Sequence, residues 1–139
     1  METREVTMNP IMIYTDGGAR GNPGPAAIGV VIGDRHFKEY IGETTNNVAE
    51  YKAVIFALRE SAKILGNEAG KANLVIHTDS ELIARQMTGK YKVKQEHLKI
   101  LKDEATKLMD PFGKVSFEII RREANTVADG LVNAALDER

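Results

Sequence analysis

The chain has 139 residues, 42% hydrophobic and 28% charged, with no cysteine, a composition that fits one globular domain and excludes disulfide scaffolds, zinc-thiolate sites and thiol nucleophiles. Nineteen basic against twenty acidic side chains give a formal charge of −1, so a nucleic acid would have to be held locally rather than by bulk attraction. The apolar stretches are far shorter than a membrane span and the N-terminus lacks the apolar segment of a secretory signal, so the expectation is a cytoplasmic monomer that does not touch membranes.

Residues 1–10 read as a loose lead-in to a single domain over residues 11–139. Ile11 to Asp16 predicts a short strand ending in an acid, and Gly17 to Pro25, with four glycines and two prolines, predicts a loop. Ala27 to Gly33 and His36 to Gly42, separated by Asp34-Arg35, predict an antiparallel hairpin. From Asn46 or Asn47 onward, Val54, Ala57, Leu58, Ala62 and Leu65 recur at three- and four-residue steps, predicting a helix that Gly66 stops. Asn73 to Thr78 predicts a strand, followed at once by Asp79 and a short helix from Ser80 to Met87. After Gly89, Lys90 to Lys94 alternates lysine with Tyr91 and Val93, and a second helix runs from Gln95 to Met109, ended by Asp110-Pro111. Val115 to Arg121 predicts the last strand and Ala124 to Leu136 the last helix. Strands interleaved with helices after a hairpin predict an α/β layer architecture with a mixed sheet and ligands gathered at strand ends.

Four acids stand out in that frame. Asp16 and Asp79 each end a strand, although Asp16 could simply open a turn and Asp79 could cap the helix that follows. Glu50, four before Val54 and seven before Ala57, lies along the apolar face of its helix, and Asp129, three before Val132 and seven before Leu136, does the same. Four carboxylates in a small volume require a hard divalent cation, since mutual repulsion would otherwise keep some of them protonated. Magnesium suits oxygen ligands, and two such ions about 3.5–4 Å apart serve phosphodiester cleavage. Between Ile83 and Lys102 six cations face one anion, Glu96, a run that on its own reads as a solvated helix face.

Tyr14-Thr15-Asp16-Gly17-Gly18-Ala19-Arg20-Gly21-Asn22-Pro23-Gly24, Thr44-Thr45-Asn46-Asn47-Val48-Ala49-Glu50-Tyr51, Thr78-Asp79-Ser80, and Asn125 followed by Ala128-Asp129 resemble, in order and spacing, the motifs of the type 1 ribonucleases H. The resemblance implies a ribonuclease H-like three-layer α/β fold with a five-stranded mixed sheet in the order 3-2-1-4-5. It also implies two-metal hydrolysis of the RNA strand of RNA/DNA hybrids, leaving 5′-phosphate and 3′-hydroxyl ends. Asp16, Glu50, Asp79 and Asp129 match the family's metal-binding acids, for two Mg2+ ions with Mn2+ as a substitute. Backbone amides from Gly17 onward and the side chains of Asn22 and Asn47 match groups that meet RNA 2′-hydroxyls, and Thr45 and Asn46 match a pocket for a DNA phosphate, where a helix start is also an anion site.

The chain also departs from the family pattern. The family's histidine before the last helix is missing, and Arg122 is expected to take part of its role at the scissile phosphate. The tryptophan-containing basic protrusion is missing as well, with Lys90, Lys92 and Lys94 as a modest replacement. Glu81 stands where a base-contacting Gln is frequent, and Gly130 sits inside a helix at a cost of about 1 kcal/mol relative to Ala. A hybrid-binding module without catalysis and an α/β phosphatase or nucleotide-binding protein remain as alternatives, and double-stranded RNA and transposition-type DNA remain open as substrates.

Overall fold

The computed structural model describes residues 9–139, so all but the last two residues of the expected lead-in lie outside the described range. Five strands, β1 (Ile11–Ala19), β2 (Gly24–Ile32), β3 (Arg35–Thr44), β4 (Asn73–Thr78) and β5 (Lys114–Ile119), form one mixed sheet in the order β3-β2-β1-β4-β5. The helices are α1 (Asn46–Leu65), α2 (Glu81–Met87), α3 (Glu96–Met109) and α4 (Thr126–Glu138), with 3₁₀ turns at Gly66–Lys71 and Arg122–Ala124. β1 pairs antiparallel with β2 and parallel with β4, and β4 pairs parallel with β5. This is the sheet that the resemblance implies. None of the described helices is long and apolar enough to cross a membrane.

Alternation along β2 divides the layers. Ile28, Val30 and Ile32 join Ile13, Val54 and Leu58 in the main core between the sheet and α1. Ala27, on the opposite face, packs in a smaller cluster with Val132, Ala135 and Leu136 of α4. Exposed ion pairs add to the hold on α4: Arg20 with Asp137 at 2.8 Å and Lys38 with Glu138 at 2.5 Å.

Two expectations are corrected near the first acid. β1 does not end at Asp16 but continues through Gly17 and Gly18 to Ala19, pairing with β2 down to Ala19 opposite Ala26. The intervening turn shrinks accordingly, closed by the Arg20 N–H on the Pro25 carbonyl at 2.8 Å. Gly17 serves close approach rather than a loop: a Cβ there would lie 2.3 Å from the Ala49 carbonyl carbon of α1. Gly29, opposite Asp16, meets α4 in the same way, with an added Cβ only 2.2 Å from the Ala128 carbonyl oxygen. At the other acid, Ser80 and not Asp79 caps α2, its Oγ accepting from the Ile83 N–H. α4 starts two residues later than expected because Arg122–Ala124 takes up a 3₁₀ turn, and β5 ends at Ile119 rather than Arg121.

Candidate active site

Parallel pairing between β1 and β4 runs out at Thr15 opposite Thr78, and the next residues on the two adjacent strands are Asp16 and Asp79. Helix α1, seated against Gly17, brings Glu50 to the same point, where its Oε1 accepts the Gly17 N–H at 2.5 Å. One carboxylate oxygen each from Asp16, Glu50 and Asp79 lie within 4.8 Å of one another. Asp129, in the first turn of α4, comes from the other face of the sheet, and its charge acts on Asp16. It is exposed and stands outside the tight trio. All four expected acids therefore border one cleft of about 380 Å³, with Arg122 and Asn133 also in its wall.

Little cancels this negative charge. Burial, then the charges of Asp79 and Asp129, push the Asp16 carboxyl up to about 7. Burial and the Asp16 and Asp79 charges likewise raise Glu50 well above the usual carboxylate range. The nearest cation, Arg122, places Nε 3.6 Å from Asp79 Oδ2 and is itself 84% exposed, so screening by water leaves that pair weak.

The expected substrate-side residues are tied into the scaffold. Thr45 Oγ1 caps α1 through the Val48 N–H at 3.3 Å. Asn22 Oδ1 accepts the Asn46 N–H at 3.0 Å and Asn46 Oδ1 accepts the Ala19 N–H at 2.8 Å, a reciprocal clasp between the β1–β2 turn and the start of α1. Among the described residues the NH2 ends of both amides have no hydrogen-bond acceptor. Asn47 borders both the acid cleft and a second groove of about 490 Å³, where Lys90, Lys92 and Lys94 surround Leu82, Tyr91 and Leu98. The wider cation run is partly neutralised, since Arg85 pairs with Glu81 and Lys99 with Glu96. No histidine lies between Arg121 and Asn125, and His77 is engaged elsewhere, stacked on Tyr14 and bonded to the Ile13 carbonyl. Nothing in the structure explains Gly130, around which a Cβ would find open space. Gly29 carries no signal in the sequence, because its importance shows only once its partner across the ladder is known to be Asp16.

A protein family described as reverse transcriptase-like matches residues 14–135. The bifunctional protein Rv2228c of Mycobacterium tuberculosis is 39% identical over 134 residues, covering 91% of this chain, which spans 35% of that relative's length. Ribonuclease HI of Halobacterium salinarum is 37% identical over 131 residues, 90% of this chain and 63% of that protein. Among solved structures, LC11-RNase H1, isolated from compost, in complex with an RNA/DNA hybrid superposes with a TM-score of 0.87 at 47% identity, over 92% of this chain and 97% of that one.

Proposed function

The chain belongs to the reverse transcriptase-like family and has the ribonuclease H fold, and on that footing we propose that it hydrolyses the RNA strand of RNA/DNA hybrids with the help of divalent cations. The observation that carries the proposal is the convergence of Asp16, Glu50 and Asp79 within 4.8 Å, with Asp129 in the wall of the same cleft. Hybrid as substrate is supported by the relative of 47% identity crystallised with one.

The residues fit a hard cation: every donor is a carboxylate oxygen, burial and mutual repulsion push Asp16 up to about 7 and raise Glu50 well above the usual carboxylate range, and the arginine paired with these acids, Arg122, is exposed. Two Mg2+ ions, with Mn2+ as a substitute, would supply an activated water and stabilise the leaving oxygen of an in-line displacement that yields 5′-phosphate and 3′-hydroxyl ends. Asp16, Glu50, Asp79 and Asp129 are the ligands in this proposal. Gly17 fixes one oxygen of Glu50 and so sets the direction of the other. Arg122, long and exposed beside Asp79, contacts the scissile phosphate. Backbone amides beyond Gly17 with the free NH2 of Asn22 and the side chain of Asn47 face RNA 2′-hydroxyls, and Thr45 with Asn46 at the start of α1 receives a DNA phosphate. Lys90, Lys92 and Lys94 hold the hybrid by backbone charge from the adjoining groove.

The test compares hybrid, double-stranded RNA, single-stranded RNA and DNA, each with Mg2+, Mn2+ or chelator, for the parent and Asp79→Asn. Hybrid is expected to be cut only with metal and only by the parent. Tight hybrid binding without metal-dependent cleavage would instead mark a binding module, and turnover of free nucleotides alone would mark a small-substrate phosphatase.

A further inference from the structure

Asn125 stands just ahead of α4, 1% exposed, where the acid-bearing segments converge. Its backbone N–H donates to the Arg122 carbonyl at 2.9 Å and its carbonyl accepts the Asp129 N–H at 3.1 Å, closing the 3₁₀ turn on one side and opening the helix on the other. Its side-chain Nδ2 donates to the Thr15 carbonyl at 3.0 Å and to Asp79 Oδ1 at 3.5 Å. Both partners are oxygens, so only the NH2 end of the amide can face them, and a flip would set oxygen against two oxygens.

The other end of the amide, Oδ1, is buried with no hydrogen-bond partner among the described residues. An unpaired buried acceptor is unfavourable, and an apolar side chain of the same volume would avoid it. The donor end alone therefore accounts for an asparagine here. Thr15 immediately precedes Asp16, so this single amide ties Asp79, the residue after β4, to the strand that carries Asp16. Asp79 then has one oxygen beside an exposed guanidinium at 3.6 Å and the other beside a buried amide at 3.5 Å.

Resting on the hybrid-cleavage proposal above, we infer that Asn125 is a positioning residue: its buried amide fixes the Asp79 carboxylate relative to Asp16, and its backbone sets where Arg122 and Asp129 stand. Partners of this kind behind metal-binding groups are worth about 10- to 100-fold in metal affinity or activity. The amide touches only one of the acids and at a long distance, which points to the lower end.

The test uses Asn125→Ala and Asn125→Leu, the second filling the same volume without polar atoms. Ser61→Ala, which removes another buried unpaired atom far along α1, is the control. Mg2+ binding is measured by calorimetry on the protein without nucleic acid, alongside melting in chelator and kcat and KM on hybrid. Both Asn125 variants should melt within about 5 °C of the parent, because the unpaired acceptor leaves with the donor. They should bind Mg2+ about 10-fold more weakly and lose about 10-fold or more in kcat, with KM within about twofold. Ser61→Ala should keep the parent's Mg2+ affinity and kinetics. A fall in melting temperature with parental Mg2+ affinity in the folded variants would reduce Asn125 to a packing residue and overturn the inference. Parental Mg2+ affinity with a raised KM would make it a substrate contact and overturn it equally. If the parent binds Mg2+ and the variants bind it more weakly, yet the parent leaves hybrid uncut, the positioning role stands and the substrate proposal falls.

Discussion

Gly29→Ala tests whether the sheet-to-helix distance sets the geometry of the acid cleft. The added methyl would sit 2.2 Å from the Ala128 carbonyl oxygen, 2.8 Å from Leu131 Cβ and 3.1 Å from the Val132 nitrogen, whereas ordinary contacts of a Cβ begin at 3.4 Å. The first turn of α4 must therefore withdraw by about 1 Å, and Asp129, the residue after Ala128, moves with it. Displacements of that size cost about 10²-fold in rate when they misplace reacting groups. The forced fit itself costs about 1–3 kcal/mol. At about 2.1 cal/mol/K of unfolding entropy per residue over 139 residues, that lowers Tm by roughly 3–10 °C. The assay is single-turnover hybrid cleavage at saturating Mg2+, at a temperature where melting curves show the variant folded. A variant that loses several degrees of Tm yet cleaves within threefold of the parent would show that Asp129 does not depend on this close approach. A variant unchanged in both would show that α4 is not pressed against β2 at all.

Four further outcomes are expected. Asp16 is held at about 7 against an ordinary 3.8, so its contribution to stability is present below about pH 4 and is lost as pH rises through 7. In chelator the protein should be less stable and melt lower at pH 8.5 than at pH 5.5, with Asp16 accounting for roughly 2 kcal/mol over that window, and Mg2+ should close most of the gap; a flat or rising trend in chelator would contradict the repulsive picture of the cleft. Arg122→Ala should lower kcat about 10-fold or more while leaving the hybrid KM nearly unchanged, and unchanged turnover at saturating hybrid would remove it from the mechanism. Replacing Lys90, Lys92 and Lys94 by Gln should weaken hybrid binding and reduce the log-log salt slope by about 0.9 for each phosphate no longer neutralised, with little effect on kcat; an unaltered slope would place the hybrid elsewhere. Gly130→Ala, with open space around the new methyl, should raise Tm by about 3 °C through helix propensity and leave cleavage intact, and a loss of activity would show that the glycine has a role the free protein conceals.

Much of the site is written in local sequence. An acid directly after an apolar strand marks Asp79, and helical periodicity marks Glu50 and Asp129, although Asp129 ends up exposed at the rim of the cleft; these signals need no knowledge of the partner element. What stays hidden depends on the partner. The glycine-rich stretch after Asp16 has the composition of a loop, yet Gly17 and Gly18 are strand residues, and Gly17 exists to admit the α1 backbone at Ala49. Asn22 and Asn46 stand 24 positions apart and clasp each other's segments, which composition does not reveal. Asn125 is visible as part of a motif, but its amide acquires a purpose only when Thr15 and Asp79 are brought beside it. The strand order follows from the resemblance, because hydrophobic pattern alone does not choose among the arrangements of two parallel neighbours.

The two sides of the sheet are unequally secured. Three of the acids stand on β1, directly after β4 and on α1, elements that share the large core, whereas Asp129 rides on α4, whose apolar hold is Ala27, Val132, Ala135 and Leu136 supplemented by exposed ion pairs. Warming should therefore peel away α4 before the central layers yield, with amide exchange accelerating first in residues 126–138. Thermal inactivation would then precede the bulk melting transition and, since only one helix has to redock on an intact sheet, would reverse on cooling.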